Sequence, residues 1–165
     1  MISSANAETL PTDLGQLIEE HEGREFTVYN DTAGNPTVGV GFNLNRSDAK
    51  KVLKSVGADY DKIISGKQSL TNEQVAKIKE VTVNEAIKHV KRKIPSFNKL
   101  SDSRQSAIVD MMFNLGVGKF SGFNKFISAV KRGDFNKAAD EVLNSKAAKD
   151  LPRRYNRIAE LIRKG

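Results

Sequence analysis

Glu22 and Asp31 are the two side chains whose type and setting suggest chemistry. Glu22 ends a short helical pattern built on Leu14, Leu17 and Ile18 and closed by Gly23. Asp31 lies in a run of turn formers, Asn30-Asp31-Thr32-Ala33-Gly34-Asn35-Pro36. Carboxylates on different elements can face one cleft. Breaking a glycosidic bond needs such a pair: an acid that hands a proton to the leaving oxygen, and an ionised group that activates water or steadies the cationic sugar. The ordinary alternative also stands, because the chain holds twenty acids and most surface carboxylates are solvated and idle.

Other chemistries have little to work with. There is no cysteine and there are only two histidines, His21 and His89, so neither a zinc site nor a Cys-His nucleophile is expected. No Gly-x-Ser-x-Gly elbow adjoins either histidine, and both read as surface residues. Gly39-Val40-Gly41 lacks the third glycine and the following helix of a dinucleotide loop. No cofactor or metal is expected. Without cysteine the fold owes nothing to disulfides, which leaves the compartment open.

The formal net charge is +7 and unevenly placed. Residues 1–36 hold seven acids and one base, Arg24, whereas residues 146–165 hold seven bases and two acids. Such a chain is drawn to polyanions: nucleic acid, acidic membranes or the bacterial wall. It can equally be a protein that is merely basic. No apolar run reaches the ~18 residues of a membrane span. The segment Met1 to Leu14 has no early base and no apolar run, so it reads as a mobile extension rather than a secretory signal.

The carboxylates must be positioned by the elements around them. A short helix is expected over Gly15 to Glu22, then extended chain at Phe26 and Val28 and again over Thr37 to Phe42, forming a small antiparallel sheet. Ser47 is a candidate cap for a helix through Ala49, Val52, Leu53 and Val56, closed by Gly57. Thr71-Asn72-Glu73-Gln74 fits a capping box that opens a long helix to about Lys93, before Pro95; at about 1.5 Å per residue it is long enough to bridge two lobes. Asp102 with Gln105 suggests a second box, leading to a buried helix that stops at Gly116. Further helices are expected over Gly122 to Arg132, over Phe135 to Asn144 after Asp134, and over Arg153 to Lys164. The fold class is α+β, with a 1–14 extension, a sheet-bearing lobe over about 15–70, a linking helix over about 71–93 and a helical lobe over about 94–165.

The stretch His21-Glu22-Gly23 through Tyr29-Asn30-Asp31 to Thr37-Val38-Gly39-Val40-Gly41 resembles the phage-type lysozymes of glycoside hydrolase family 24. That family carries Glu, eight residues, Asp, five residues, Thr, which here are Glu22, Asp31 and Thr37. The likeness continues through Arg104 to Gly116 and through Pro152-Arg153-Arg154-Tyr155-Asn156-Arg157, covering about 15–165. It implies a lysozyme-like fold and a muramidase cutting the β-1,4 bond between N-acetylmuramic acid and N-acetylglucosamine with inversion.

In those terms Glu22 is the general acid, Asp31 stays ionised and Thr37 holds the attacking water against it. Arg154 is the position the family places against the acid, and Tyr29 is a shared supporting position. At Glu22 the helix C-terminus favours the proton and a nearby arginine opposes it. Gly39 and Gly41 leave strand backbone bare where a sugar ring could approach, or else mark a bulge or bend. Phe113 and Asn114 stand at substrate-contacting positions, though Asn114 is equally an ordinary polar residue near a helix end. Two departures fall outside the Glu-Asp-Thr set: Phe42 replaces a common histidine and Ala147 a common tryptophan, which bears on local stability. The expected partner is bacterial peptidoglycan, met by a monomer that spans no membrane, binds no nucleic acid and reaches the wall with the help of another factor after synthesis in the host cytoplasm. The rival readings are a catalytically silent wall-binding or tail module and a lytic transglycosylase.

Overall fold

Helix α1 (Thr9–Glu22) starts at Thr9 rather than at Gly15 and ends where Gly23, at φ +83°, turns the chain. The computed structural model describes residues 9–165, with side chains from Leu14 onward. The expected extension therefore lies outside the described residues over 1–8. The chain divides into two compact units: Ile18–Thr82, and Val83–Gly165 together with α1 up to Leu17.

The first unit carries the sheet. Strands β1 (Glu25–Asn30), β2 (Pro36–Gly39) and β3 (Phe42–Asn43) are antiparallel in the order β1-β2-β3, with Tyr29 opposite Thr37 and Val38 opposite Phe42. The single extended run expected over Thr37 to Phe42 is thus two strands folded on each other. The reason is Gly39 at φ +69° and Gly41 at φ +63°, a left-handed conformation that only glycine adopts cheaply, on either side of Val40. Val38, Val40, Phe42 and Leu44 are all buried in this unit. Phe42 is buried with the Arg46 guanidinium 5.3 Å from its ring centroid, so a cation–π contact occupies the ring.

Helix α2 (Ala49–Ser55) follows, ended by Gly57 at φ +81°. Its cap position is Asp48, not Ser47, and Asp48 makes no capping bond because the Arg46 fork holds its carboxylate at 2.8 and 2.9 Å. Helix α3 (Tyr60–Ile64) has no counterpart in the sequence reading, although Asp59 caps it by accepting the Lys62 N–H. Helix α4 (Asn72–Lys93) opens on the expected box: the Thr71 hydroxyl accepts the Gln74 N–H at 3.1 Å and the Gln74 side chain accepts the Thr71 N–H at 2.9 Å.

The second unit is helical. After a 3-10 turn at Phe97–Lys99 comes α5 (Asp102–Ser121), then α6 (Asn124–Lys131), α7 (Phe135–Leu143), α8 (Lys146–Asp150) and α9 (Pro152–Lys164). The α5 cap is Ser101, which accepts the Arg104 N–H, one residue earlier than expected. Gln105 does not close a box with Asp102, since its buried amide donates to the Leu100 carbonyl at 3.0 Å. The expected stop at Gly116 is a break within the helical run, at φ +81°. Asp134 caps α7 as expected, whereas α8, capped by Ser145, comes from a stretch for which the sequence suggested no element. Ala147 is half-buried on α8. Helix α9 packs on α5, α7 and α8, burying Tyr155, Ile158, Ala159 and Ile162.

The bases over 146–165 lie on α8 and α9, and at least four of the seven have a carboxylate partner. Arg154 pairs with Asp110, Arg163 with Asp140, Lys146 with Asp150 and Lys164 with Glu160.

Arg104 fastens the two ends of this unit. Its guanidinium donates to the carbonyls of Ile162 at 2.7 Å and Arg163 at 3.2 Å, the unsatisfied end of α9, while lying 3.5 Å from the Phe135 ring centroid. Arg104→Ala should lower unfolding free energy by about 2 kcal/mol in urea titrations. Arg104→Lys should recover little, because one ammonium cannot fork across two carbonyls and stack on a ring. Full recovery by lysine would mean that charge alone matters at this position.

Candidate active site

In the sheet unit the turn between β1 and β2 is built around Asp31. One carboxylate oxygen accepts the backbone N–H groups of Ala33 at 2.9 Å and Asn35 at 2.8 Å, and the other accepts the Asn35 side-chain amide at 3.3 Å. The Asp31 N–H donates to the Asn35 carbonyl and the Gly34 N–H to the Asp31 carbonyl, each at 2.9 Å. Asp at the first position of a turn does this readily, since its short side chain reaches the amides two residues on. Asn35's backbone bond is the largest cause holding the Asp31 carboxyl below its ordinary range; burial opposes it, and the bonds from the Asn35 amide, Ala33 and Gly34 add to it. Asp31 is therefore an ionised carboxylate fixed in direction.

Thr37 joins the same turn. It is buried on β2, and its hydroxyl donates to the Asn35 carbonyl at 2.9 Å, the same oxygen that accepts the Asp31 N–H. The hydroxyl proton is committed, which leaves the oxygen's lone pairs as acceptors.

Glu22 stands at the end of α1 against the β2–β3 turn. A Cβ built on Gly41 would lie 3.0 Å from Glu22 Oε1 and 3.1 Å from its Cδ, so the bare Cα of Gly41 is what lets the carboxylate lie there. Gly39 differs. A Cβ there would meet Val75 at 3.8 Å and Leu70 at 3.9 Å, ordinary contacts within the unit. The two glycines flank a turn instead of lining one strand face. Tyr29 feels the field of both carboxylates: burial first, then the charges of Glu22, Glu25 and Asp31, push its phenol pKa up. It remains a neutral hydroxyl within electrostatic reach of both.

In the helical unit, Arg154 has a partner that sequence reasoning missed. Asp110, fully buried on α5, takes the Arg154 fork at 2.8 Å (Nη2) and 3.2 Å (Nε). The signal was present, because Asp110 is a lone acid among Ile108, Val109, Met111 and Met112, and a buried charge must be paired. Asn114 is half-buried on α5, and the buried Tyr155 hydroxyl donates to its Oδ1 at 2.6 Å. That bond fixes the amide so that its NH₂ points elsewhere as a donor. Phe113 is half-buried beside it in sequence.

The phage lysozyme family model matches residues 19–159, a span that includes every residue of the Asp31 turn, Glu22 and Thr37. The chain belongs to the phage lysozyme family. It is 27% identical over 163 residues to the probable T4-type lysozyme 2 of Dictyostelium discoideum, covering 93% of this chain and 95% of that protein. It is also 27% identical over 169 residues to the pre-baseplate central spike protein Gp5 of Enterobacteria phage T4, covering 94% of this chain but 29% of the spike protein. As a member of the phage lysozyme family it is a glycoside hydrolase, and hydrolysis of peptidoglycan is its general class of activity. No helix of the described residues is long and apolar enough to cross a membrane.

Gly41→Ala and Gly39→Ala should separate position from strain. Both force a side chain into positive φ at a cost of about 1–3 kcal/mol. Only the alanine at 41 pushes the Glu22 carboxylate, so turnover should fall roughly a hundredfold there and little at 39, once both are assayed well below their melting temperatures. Equal losses would show that Glu22 is not set by this turn.

The Asp31 titration has a fixed sign. Its folded-state pKa is lowered, so its contribution to stability is present above the unfolded-state value and is lost as pH falls through the folded one. Carboxyl NMR should find its midpoint below the ordinary aspartate range. A midpoint at or above that range contradicts the hydrogen-bonded turn.

Proposed function

We propose that this enzyme cleaves the β-1,4 bond between N-acetylmuramic acid and N-acetylglucosamine in one displacement with inversion, using Glu22, Asp31 and Thr37. The observation that carries the reading is the Asp31 turn: an ionised, oriented carboxylate linked through one carbonyl to a threonine whose oxygen is left with acceptor capacity. A water that donates one hydrogen to Asp31 and the other to Thr37 Oγ1 presents its lone pair outward, toward an anomeric carbon. As that carbon loses its bond to the leaving oxygen, Glu22 delivers the proton that completes the leaving hydroxyl, and Asp31 receives the proton from water. Tyr29 supports both carboxylates as a neutral neighbour. Gly39, Gly41, Phe113 and Asn114 are proposed contacts of the glycan, and Arg154 a supporting cation, on the strength of the family resemblance.

A lytic transglycosylase would cut the same bond without water. Asp31 and Thr37 have no task in that reaction, which favours hydrolysis. Glu22→Gln and Asp31→Asn should each abolish turnover on purified peptidoglycan while leaving wall binding intact; Glu22→Gln should melt like the wild type, and Asp31→Asn somewhat lower, because it gives up the stabilising charge. The wild-type product should be a free reducing sugar released as the α-anomer in the first minutes by NMR. An anhydro sugar, a first-formed β-anomer or near-normal lysis by either variant would overturn the mechanism.

A further inference from the structure

The helical unit carries an open groove of about 650 Å³ that the proposed hydrolysis does not use. Arg92 and Lys93, at the end of α4, form one side of it, and Lys131 and Arg132, at the end of α6, form the other. All four are exposed, and no acid lines the groove. Asn124 and Ser128 add neutral hydrogen-bonding groups along the same face of α6, over buried Ile127.

The cations are largely unspent. Lys93 and Lys131 have no ion pair among the described residues, and Arg132 meets Asp134 only at 3.8 Å with both side chains about half exposed. Arg92 Nη1 lies 3.3 Å from His89 Nδ1, and Arg132 Nη1 donates to Ser128 Oγ at 3.1 Å, which steadies both forks. Mutual repulsion of four cations costs stability unless a ligand neutralises it.

We propose that this groove binds a chain of repeated phosphodiesters, specifically a polyol-phosphate polymer of the bacterial envelope. Asn124 to Lys131 spans about 10 Å along α6, with neutral hydrogen-bonding groups at Asn124 and Ser128 and cations at Lys131 and Arg132, a run that suits a polyol-phosphate chain better than a single ion. Arginine forks match phosphate oxygens, and Asn124 and Ser128 suit polyol hydroxyls. No aromatic lines the groove to stack on bases, which disfavours nucleic acid. Its apolar floor is buried, which disfavours insertion into a lipid surface.

The test uses the whole chain and poly(glycerol phosphate), with affinity measured calorimetrically at low and physiological salt. Joint replacement of Arg92, Lys93, Lys131 and Arg132 by Gln should weaken binding at least tenfold and flatten its salt dependence. Replacement of Lys51, Lys54, Lys67 and Lys77 by Gln removes the same charge from the other unit and should change affinity less than threefold. Equal weakening in both sets, or no binding by the wild type, would overturn the groove. Groove-dependent binding of equal strength to polyglutamate, DNA or anionic phospholipid vesicles would overturn the choice of polymer. Turnover of a short soluble glycan should be unchanged in the groove variant, which keeps this result independent of the hydrolytic assignment.

Discussion

A carboxylate whose charge and direction are both fixed by its own backbone is the constraint on which the sheet unit depends, and Asp31 is that carboxylate. The two amides that bind its oxygen belong to its own turn, so direction and charge state come from one local arrangement and need no distant cation. The neighbouring strands are placed by that turn. Asn30 and Pro36 pair where it closes, Tyr29 faces Thr37 one step on, and the Asn35 carbonyl receives both the Asp31 amide and the Thr37 hydroxyl. The second carboxylate is admitted by an absence of atoms, since Glu22 lies where a Gly41 side chain would be. One group is held by hydrogen bonds and the other by the space left for it.

Much of this was legible because it is local. Asn30 to Pro36 is so dense in turn formers that the Asp31 loop follows from composition, and the Thr71–Gln74 box formed as its residue types require. The failures have physical causes as well. Ser101 takes the α5 cap one residue before Asp102, its hydroxyl accepting the Arg104 N–H, which leaves the Gln105 side chain free to turn inward to Leu100. Asp48 and not the expected Ser47 stands at the α2 cap position, and it makes no capping bond because Arg46, two residues away, takes its whole carboxylate. Helices α3 and α8 are five residues each, too short for an apolar period to register, so only their caps Asp59 and Ser145 announce them.

Pairing across the sequence is what the linear chain conceals. Asp110 and Arg154 are forty-four positions apart and buried together, and only the fold shows that one carries the other. Removing either partner would strand a charge in a dry interior, so the pair fixes α5 against α9 whatever its net contribution to stability. The Tyr155–Asn114 bond lies on the same two helices and orients a side-chain amide by the same logic.

Charge in this protein is therefore sorted by the company it keeps. Bases of the C-terminal stretch look like an anion-seeking tail when counted in sequence, yet Lys146, Arg154, Arg163 and Lys164 each have a carboxylate partner. Lys93 and Lys131, from two different helices, have no ion-pair partner among the described residues, and they converge on one groove with Arg92 and Arg132. A paired surface charge attracts little at a distance because its partner cancels its field within a few ångströms, whereas a cluster of one sign adds up. Any attraction to a polyanion would be strongest where pairing is missing, and net charge along the sequence is a poor guide to that place.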